Sequence, residues 1–186
     1  MEFESLYTER LQLKKFTPEG LKYVFDTFSK EEVRKKLGLL SDEEFEREKM
    51  KIEGGFKTYD RTLVHFKLIL KESNDVIGAG GFHNWYAIHR RAELGYMLNK
   101  DDYKKKGYMH EAVCAMLDYG FTTMDLNRVE ASIAPENVAS QALILKNGFT
   151  REAYLKQNYI SDGIIFDSVI YRLLKEEYEI HKRSKV

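Results

Sequence analysis

Tyr103–Ala112 reads YKKKGYMHEA. The segment falls between a strand at Arg91–Leu98 and a long helix at Tyr108–Met124, along which Met109, Ala112, Val113, Met116, Leu117 and Phe121 form one apolar stripe. Backbone N–H groups at a helix start have no intrahelical acceptor and carry partial positive charge, so they suit a phosphate or pyrophosphate. Gly107 lets the backbone approach a ligand closely or take a positive φ. Lys104, Lys105 and Lys106 add positive charge beside it. The nucleotide P-loop pattern GxxxxGK[ST] and the dinucleotide fingerprint GxGxxG are both absent. On chemistry alone the segment serves equally as an anion cradle or as a solvated lysine turn capping a core helix.

The flanking sequence sets the order of elements. Arg10–Phe16 is a short strand with Leu11 and Leu13 on one face. Thr17-Pro18-Glu19 starts a helix with a hydroxyl cap, Pro at the first helical position and an early acid. Leu21, Val24, Phe25 and Phe28 then mark its buried face. Ser29-Lys30-Glu31-Glu32 and Ser41-Asp42-Glu43-Glu44 are two further helix starts, so Ser29–Glu53 forms two short charged helices, ended by Gly54-Gly55.

Strands follow at Leu63–Lys71 and Val76–Trp85, joined by the turn Glu72–Asp75. Arg128–Ile133 is a strand and Val138–Asn147 a helix, with Gly148 at a left-handed C-cap. Arg151–Tyr159 and Ile164–Leu174 form a hairpin around Ser161-Asp162-Gly163. The tail from Lys175 is charged. This order gives an α/β fold of the mixed α+β kind: one domain over residues 1–186, with its core at about 8–175 and six to seven strands.

Composition bounds the function. The chain has 30 Lys and Arg against 30 Asp and Glu, so no whole-protein basic field draws nucleic acid. Cys114 is the single cysteine, which excludes an intrachain disulfide and a thiolate metal cluster. Met1–Ser5 is acidic and lacks a signal-peptide apolar region, and no apolar run reaches membrane-spanning length. The expectation is a soluble, cytoplasmic protein with no metal.

An ordered set of segments resembles the GNAT superfamily of N-acetyltransferases, and within it the RimJ/RimL type of ribosomal-protein N-terminal acetyltransferases. The set is TERLQLKKFTPE (Thr8–Glu19), IGAGGF (Ile77–Phe82), RRAELGYML (Arg90–Leu98), KKKGYMHEA (Lys104–Ala112), NRVEASIAPENVAS (Asn127–Ser140), KNGFTREAYL (Lys146–Leu155), DG (Asp162-Gly163) and FDSVIYRLL (Phe166–Leu174). The family's cofactor loop follows [QR]-x-x-G-x-[GA]. Lys104 stands at its Gln/Arg position, Gly107 at its first Gly and Met109 at its Gly/Ala position, while Lys105 occupies a place often held by Gly.

The resemblance implies a mostly antiparallel sheet with a splayed central strand pair, and acetyl-CoA as co-substrate. It implies that Lys104, Lys105, Lys106, Gly107, Tyr108 and Met109 hold the pyrophosphate. Main-chain groups of Met97 and Leu98 would pair with the pantetheine and face the thioester carbonyl. Asn137 and Ser140 match the family's N-x-x-S segment beside the cofactor sulfur. The Tyr found seven residues after the Asn in many members is Ile144 here.

Acetyl transfer needs a neutral amine, a proton acceptor, donors for the oxyanion and a donor for the thiolate. A backbone N–H near Leu98 is the candidate oxyanion donor. Glu93 is the candidate base, and equally a structural ion-pair partner of Arg90 or Arg91. Ser140 is the candidate donor to the thiolate, and otherwise a helix-start hydroxyl. His83, Asn84, Trp85 and Tyr86 are read as an acceptor-pocket wall or as a strand end with an aromatic anchor. His110 is read as a surface histidine, Asp167 as a hydrogen-bonding residue and Cys114 as a buried small hydrophobe rather than a nucleophile.

The leading reading is transfer to a protein N-terminal α-amine. Transfer to a small amine (polyamine, aminoglycoside or amino-acid derivative) and a catalytically silent acetyl-CoA-binding module are the alternatives. Partners are acetyl-CoA and the amine acceptor, without membrane or nucleic acid; a homodimer is compatible with all three.

Overall fold

The structure is a computed structural model, and it describes residues 3–53 and 62–184. The expected break at Gly54-Gly55 lies outside the described residues. The elements are β1 (Ser5–Tyr7), β2 (Leu11–Phe16), α1 (Pro18–Thr27), α2 (Lys30–Leu37), α3 (Asp42–Glu53), β3 (Thr62–Leu70), β4 (Val76–Tyr86), β5 (Arg91–Leu98), α4 (Tyr108–Thr122), β6 (Arg128–Ile133), α5 (Val138–Lys146), β7 (Thr150–Ser161), β8 (Ile164–Leu174) and α6 (Lys175–Arg183). The eight strands form one mostly antiparallel sheet in the order β1-β2-β3-β4-β5-β6-β8-β7. The strand beyond the expected seven is β1, three residues paired antiparallel to β2 from Ser5↔Lys14 to Tyr7↔Gln12.

Two compact units divide the chain. One runs to His83 and includes Gly95–Met116; the other comprises Asn84–Leu94 and the residues from Leu117 onward. Strands β4 and β5 and helix α4 each pass through both units.

In the first unit, local chemistry sets the helices. The Thr17 side chain accepts from the Gly20 N–H, with Pro18 at the helix start. Ser29 and Glu32 close a reciprocal capping box on α2, and Gly38 ends that helix at φ 68°. The Ser41 hydroxyl accepts from the Glu44 N–H at the start of α3. The apolar faces meet in a cluster of Phe16, Leu21, Val24, Val33, Leu37 and Phe45. Leu11 and Leu13 are fully buried, as the period-two reading requires. Gly81 explains part of the glycine-rich β4: its φ is +155°, and a Cβ there meets the Val64 carbonyl oxygen at 2.0 Å.

In the second unit, β5 runs parallel to β6 in a register of Arg91↔Arg128, Ala92↔Val129 and Glu93↔Glu130. Both strands continue beyond that register, β5 to Leu98 and β6 to Ile133. Strand β8 lies antiparallel to β6 and pairs Val129↔Leu173, Ala131↔Tyr171 and Ile133↔Val169. All six of these side chains are buried. The alternate rows on the other face hold Arg128, Glu130 and Arg172, so one face is core and the other a charged lattice. The β7–β8 turn has Asp162 at φ 50° and Gly163 at φ 77°, the left-handed pair of a tight hairpin.

The close approach at Gly81 predicts that Gly81→Ala destabilises the protein by about 2 kcal/mol or more. Ser29→Ala, which opens the capping box, costs about 1 kcal/mol. Denaturant midpoints at unchanged slope measure both. A Gly81→Ala midpoint equal to that of the parent contradicts the packing described for β3 and β4.

Candidate active site

The turn before α4 is built from unusual backbone. A single 3-10 turn at Asp101–Tyr103 ends at Lys104, whose N–H donates to the Asp101 carbonyl at 2.9 Å. Lys105 then has φ 58° and Gly107 φ 81°. Left-handed residues on either side of Lys106 curve the main chain into a concave turn, the geometry of an anion nest. Lys105 therefore holds the conformation that glycine adopts most readily, at the position where the family often has one.

The turn feeds a 15-residue helix, and the first helical bond runs from the Glu111 N–H to the Gly107 carbonyl at 3.1 Å. The earlier N–H groups of Tyr108, Met109 and His110 have no acceptor within the helix. Lys104, Lys105, Lys106 and Gly107 are exposed, while Tyr108 and Met109 are half-buried. Lys104 Nζ pairs with Asp101 Oδ1 at 2.5 Å. These residues fit a pyrophosphate.

Two residues the sequence reading left without a role organise this turn. Arg10 Nη1 donates to the Lys106 carbonyl at 3.0 Å, and its guanidinium lies 4.6 Å from the centre of the Tyr108 ring. Arg10 N–H and Nε donate to Glu111 Oε1 and Oε2, each at 2.7 Å. The Thr8 hydroxyl donates to the same Oε1. Burial alone pushes the Glu111 carboxyl up; the bonds from Thr8 and Arg10 outweigh it and hold the group below its ordinary value. Both residues sit inside quoted motifs, TERLQL and KKKGYMHEA. Their partnership spans 101 positions, so only an acid one turn into the helix hinted at it.

Met97 and Leu98 turn their main-chain groups to opposite edges of β5. The Asn99 N–H donates to the Ile77 carbonyl at 2.9 Å. The Met97 carbonyl also faces β4, 2.4 Å from where a Gly78 Cβ would stand. Amides alternate edges along a strand, so the Leu98 N–H and C=O point away from β4. The Met97 side chain is exposed and lines, with His65, His83 and Tyr96, a cavity of about 220 Å³ against the Gly80-Gly81 backbone.

In the second unit, half-buried Glu93 accepts from Asn84 Nδ2 at 2.9 Å. Asn84 has φ 49°, a left-handed kink at the end of β4. Of the two arginines considered as partners for Glu93, Arg90 bonds Asp125 at 2.7 Å and Arg91 bonds Glu130 at 3.3 Å. Glu93 lines a cavity of about 320 Å³ with Glu130, Ser132, Asn158, Tyr159 and Ile170. Asp167 lies on the neighbouring strand β8. It accepts from the Tyr154 hydroxyl at 2.6 Å and from the Gln157 N–H at 2.7 Å, across a bulge between Leu155 and Tyr159.

Asn137 caps α5, its Oδ1 accepting from the Ser140 N–H at 3.1 Å. The cap thus uses the amide of Ser140. Ile144, at the family's tyrosine position, is fully buried core.

One expectation is overturned. Cys114 is exposed, not buried, with its Sγ 3.9 Å from His110 Nδ1. Position 114 is one residue past Val113 and so about 100° off the buried stripe. Among the described residues no group of three or more His, Cys, Asp or Glu side chains is placed to hold a metal ion. No described helix is long and apolar enough to cross a membrane.

The acetyltransferase (GNAT) domain family matches residues 10–150, a span that enters both units. A Bacillus licheniformis protein named uncharacterized N-acetyltransferase p20 is 34% identical over 177 residues, covering 94% of this chain and 98% of its own. The [ribosomal protein uS5]-alanine N-acetyltransferase of Escherichia coli is 29% identical over 115 residues, 61% of this chain and 59% of that protein. Among solved structures, a GNAT-family acetyltransferase from Bacillus anthracis superposes with a TM-score of 0.66 at 27% identity, covering 93% of this chain and 99% of that one. The chain belongs to the GNAT family of acetyltransferases.

Proposed function

We propose that this protein acts as one domain that transfers the acetyl group of acetyl-CoA to a protein N-terminal α-amine. The observation that carries the cofactor half is the concave turn at 104–109, with left-handed Lys105 and Gly107 and three exposed lysines opening onto the start of α4. The acceptor half rests on the E. coli relative named for ribosomal-protein acetylation and on the cavity where Glu93 and Glu130 meet Asn158 and Tyr159. Paired carboxylates beside an aromatic ring suit a group that arrives as an ammonium. The protein works in the cytoplasm.

Bound acetyl-CoA supplies a thioester carbonyl open to attack by an amine. The main chain of Lys106–Met109 and the lysine charges hold its pyrophosphate. The Leu98 N–H, turned away from β4, is the donor for charge developing on the carbonyl oxygen, and the Leu98 C=O and Met97 border the pantetheine. Glu93, oriented by Asn84, accepts the proton of the incoming ammonium directly or through water. Asn137 sets the start of α5, from which the Ser140 hydroxyl donates to the departing sulfur.

Isothermal calorimetry on the parent protein is expected to show one acetyl-CoA site. Lys106→Glu and Gly107→Val are each expected to weaken it by about tenfold or more, because one reverses charge and the other forbids the left-handed turn. Absence of binding by the parent protein sinks the reading. In a thiol-release assay with peptides and small amines, Glu93→Gln is expected to lower kcat/KM for the amine by about a hundredfold. An unchanged rate in both Glu93→Gln and Ser140→Ala removes these two residues from the chemistry. A polyamine turned over faster than every peptide replaces the N-terminal acceptor with a small one.

A further inference from the structure

A carboxylate one turn into α4 is a liability for an anion site. Glu111 lies in the first turn of the helix, and unmatched it would set a negative charge beside the N–H groups that face an anion. Here both oxygens of Glu111 are committed to the start of β2: Oε1 to the Thr8 hydroxyl and the Arg10 N–H, Oε2 to Arg10 Nε.

The remaining arm of Arg10 reaches the turn itself. Nη1 binds the Lys106 carbonyl at 3.0 Å. In a trans peptide the C=O and the next N–H point in opposite directions. Drawing the Lys106 carbonyl toward Arg10 therefore turns the Gly107 N–H away from Arg10, out of the turn. The guanidinium also lies over the Tyr108 ring, and its Nη2 stands 3.3 Å from where a Gly107 Cβ would be. Gly107 thus satisfies two demands: a left-handed φ, and room for Arg10.

We propose that Arg10, locked by Glu111 and Thr8, is a positioning residue for the acetyl-CoA pyrophosphate. It holds the Lys106–Gly107 peptide in its anion-binding orientation and neutralises the acid in the helix's first turn. Arg10 itself does not touch the cofactor. The assignment rests on the cofactor role proposed for the 104–109 turn. A lysine cannot replace it, because one ammonium does not supply separate donors in a fixed fork to Glu111 and Lys106.

The test combines acetyl-CoA calorimetry, steady-state kinetics and amide hydrogen exchange of the cofactor-free protein on Arg10→Ala, Arg10→Lys and Glu111→Gln. All three variants are expected to bind acetyl-CoA at least about tenfold more weakly, with KM for acetyl-CoA raised and KM for the amine unchanged. Exchange at 105–110 is expected to accelerate while exchange in β6 and β8 stays as in the parent, which separates local loosening from unfolding. Arg10→Lys restoring full affinity overturns the fork argument. Parent-like affinity and parent-like exchange in Arg10→Ala overturn the assignment. A parent protein that does not bind acetyl-CoA overturns the functional reading instead; the exchange comparison then still decides whether Arg10 sets the turn.

Discussion

Glu111 accepts hydrogen bonds from Thr8 and Arg10, 103 and 101 positions earlier in the sequence. That contact joins the start of β2 to the start of α4 and sets the backbone between Lys104 and Met109. Without it the turn would be a run of lysines before a helix, with an unmatched acid in the helix's first turn. With it, the nearby negative charge is matched. The first unit is therefore organised so that an unfavourable local sequence, three lysines and a left-handed non-glycine residue, is held by a long-range charge-assisted contact.

The second unit uses charge differently. Its outer sheet face is a lattice in which Arg91 and Arg128 bond Glu130, Arg128 also bonds Glu152, and Arg172 bonds Glu177. The pairs are half-exposed, so each adds little stability alone. Their effect is positional. Glu130 is occupied by two arginines, whereas its register neighbour Glu93 accepts from the neutral amide of Asn84.

Local signals in the sequence were enough for most of the fold. Strands Arg91–Leu98 and Arg128–Ile133 and the caps at Thr17, Ser29 and Gly148 are where alternation, hydroxyls and glycine placed them. Strand β1 was not legible, because three residues carry no measurable alternation and form only by pairing with β2. Cys114 was misplaced because composition favours buried cysteine, while the helical phase set by Ala112, Val113, Met116 and Leu117 turns position 114 outward. Motif resemblance pointed to the turn at 104–109 through Lys104, Gly107 and Met109. It gave no role to Arg10 or Glu111, whose meaning lies in a contact made only after folding. The bulge that sets Asn158 and Tyr159 beside Glu93 was hidden for the same reason, being held by Asp167 from the neighbouring strand.

The proposed cofactor site relies on main-chain amides of the 104–109 turn, more than on the lysine side chains, to hold the pyrophosphate of acetyl-CoA. Backbone amide chemical shifts recorded during an acetyl-CoA titration test it most directly. The largest perturbations are expected on Lys106, Gly107, Tyr108 and Met109, and they are expected to persist when Lys104 and Lys105 are replaced by Gln. Perturbations confined to residues outside this turn, with these four amides unmoved at saturation, would contradict it.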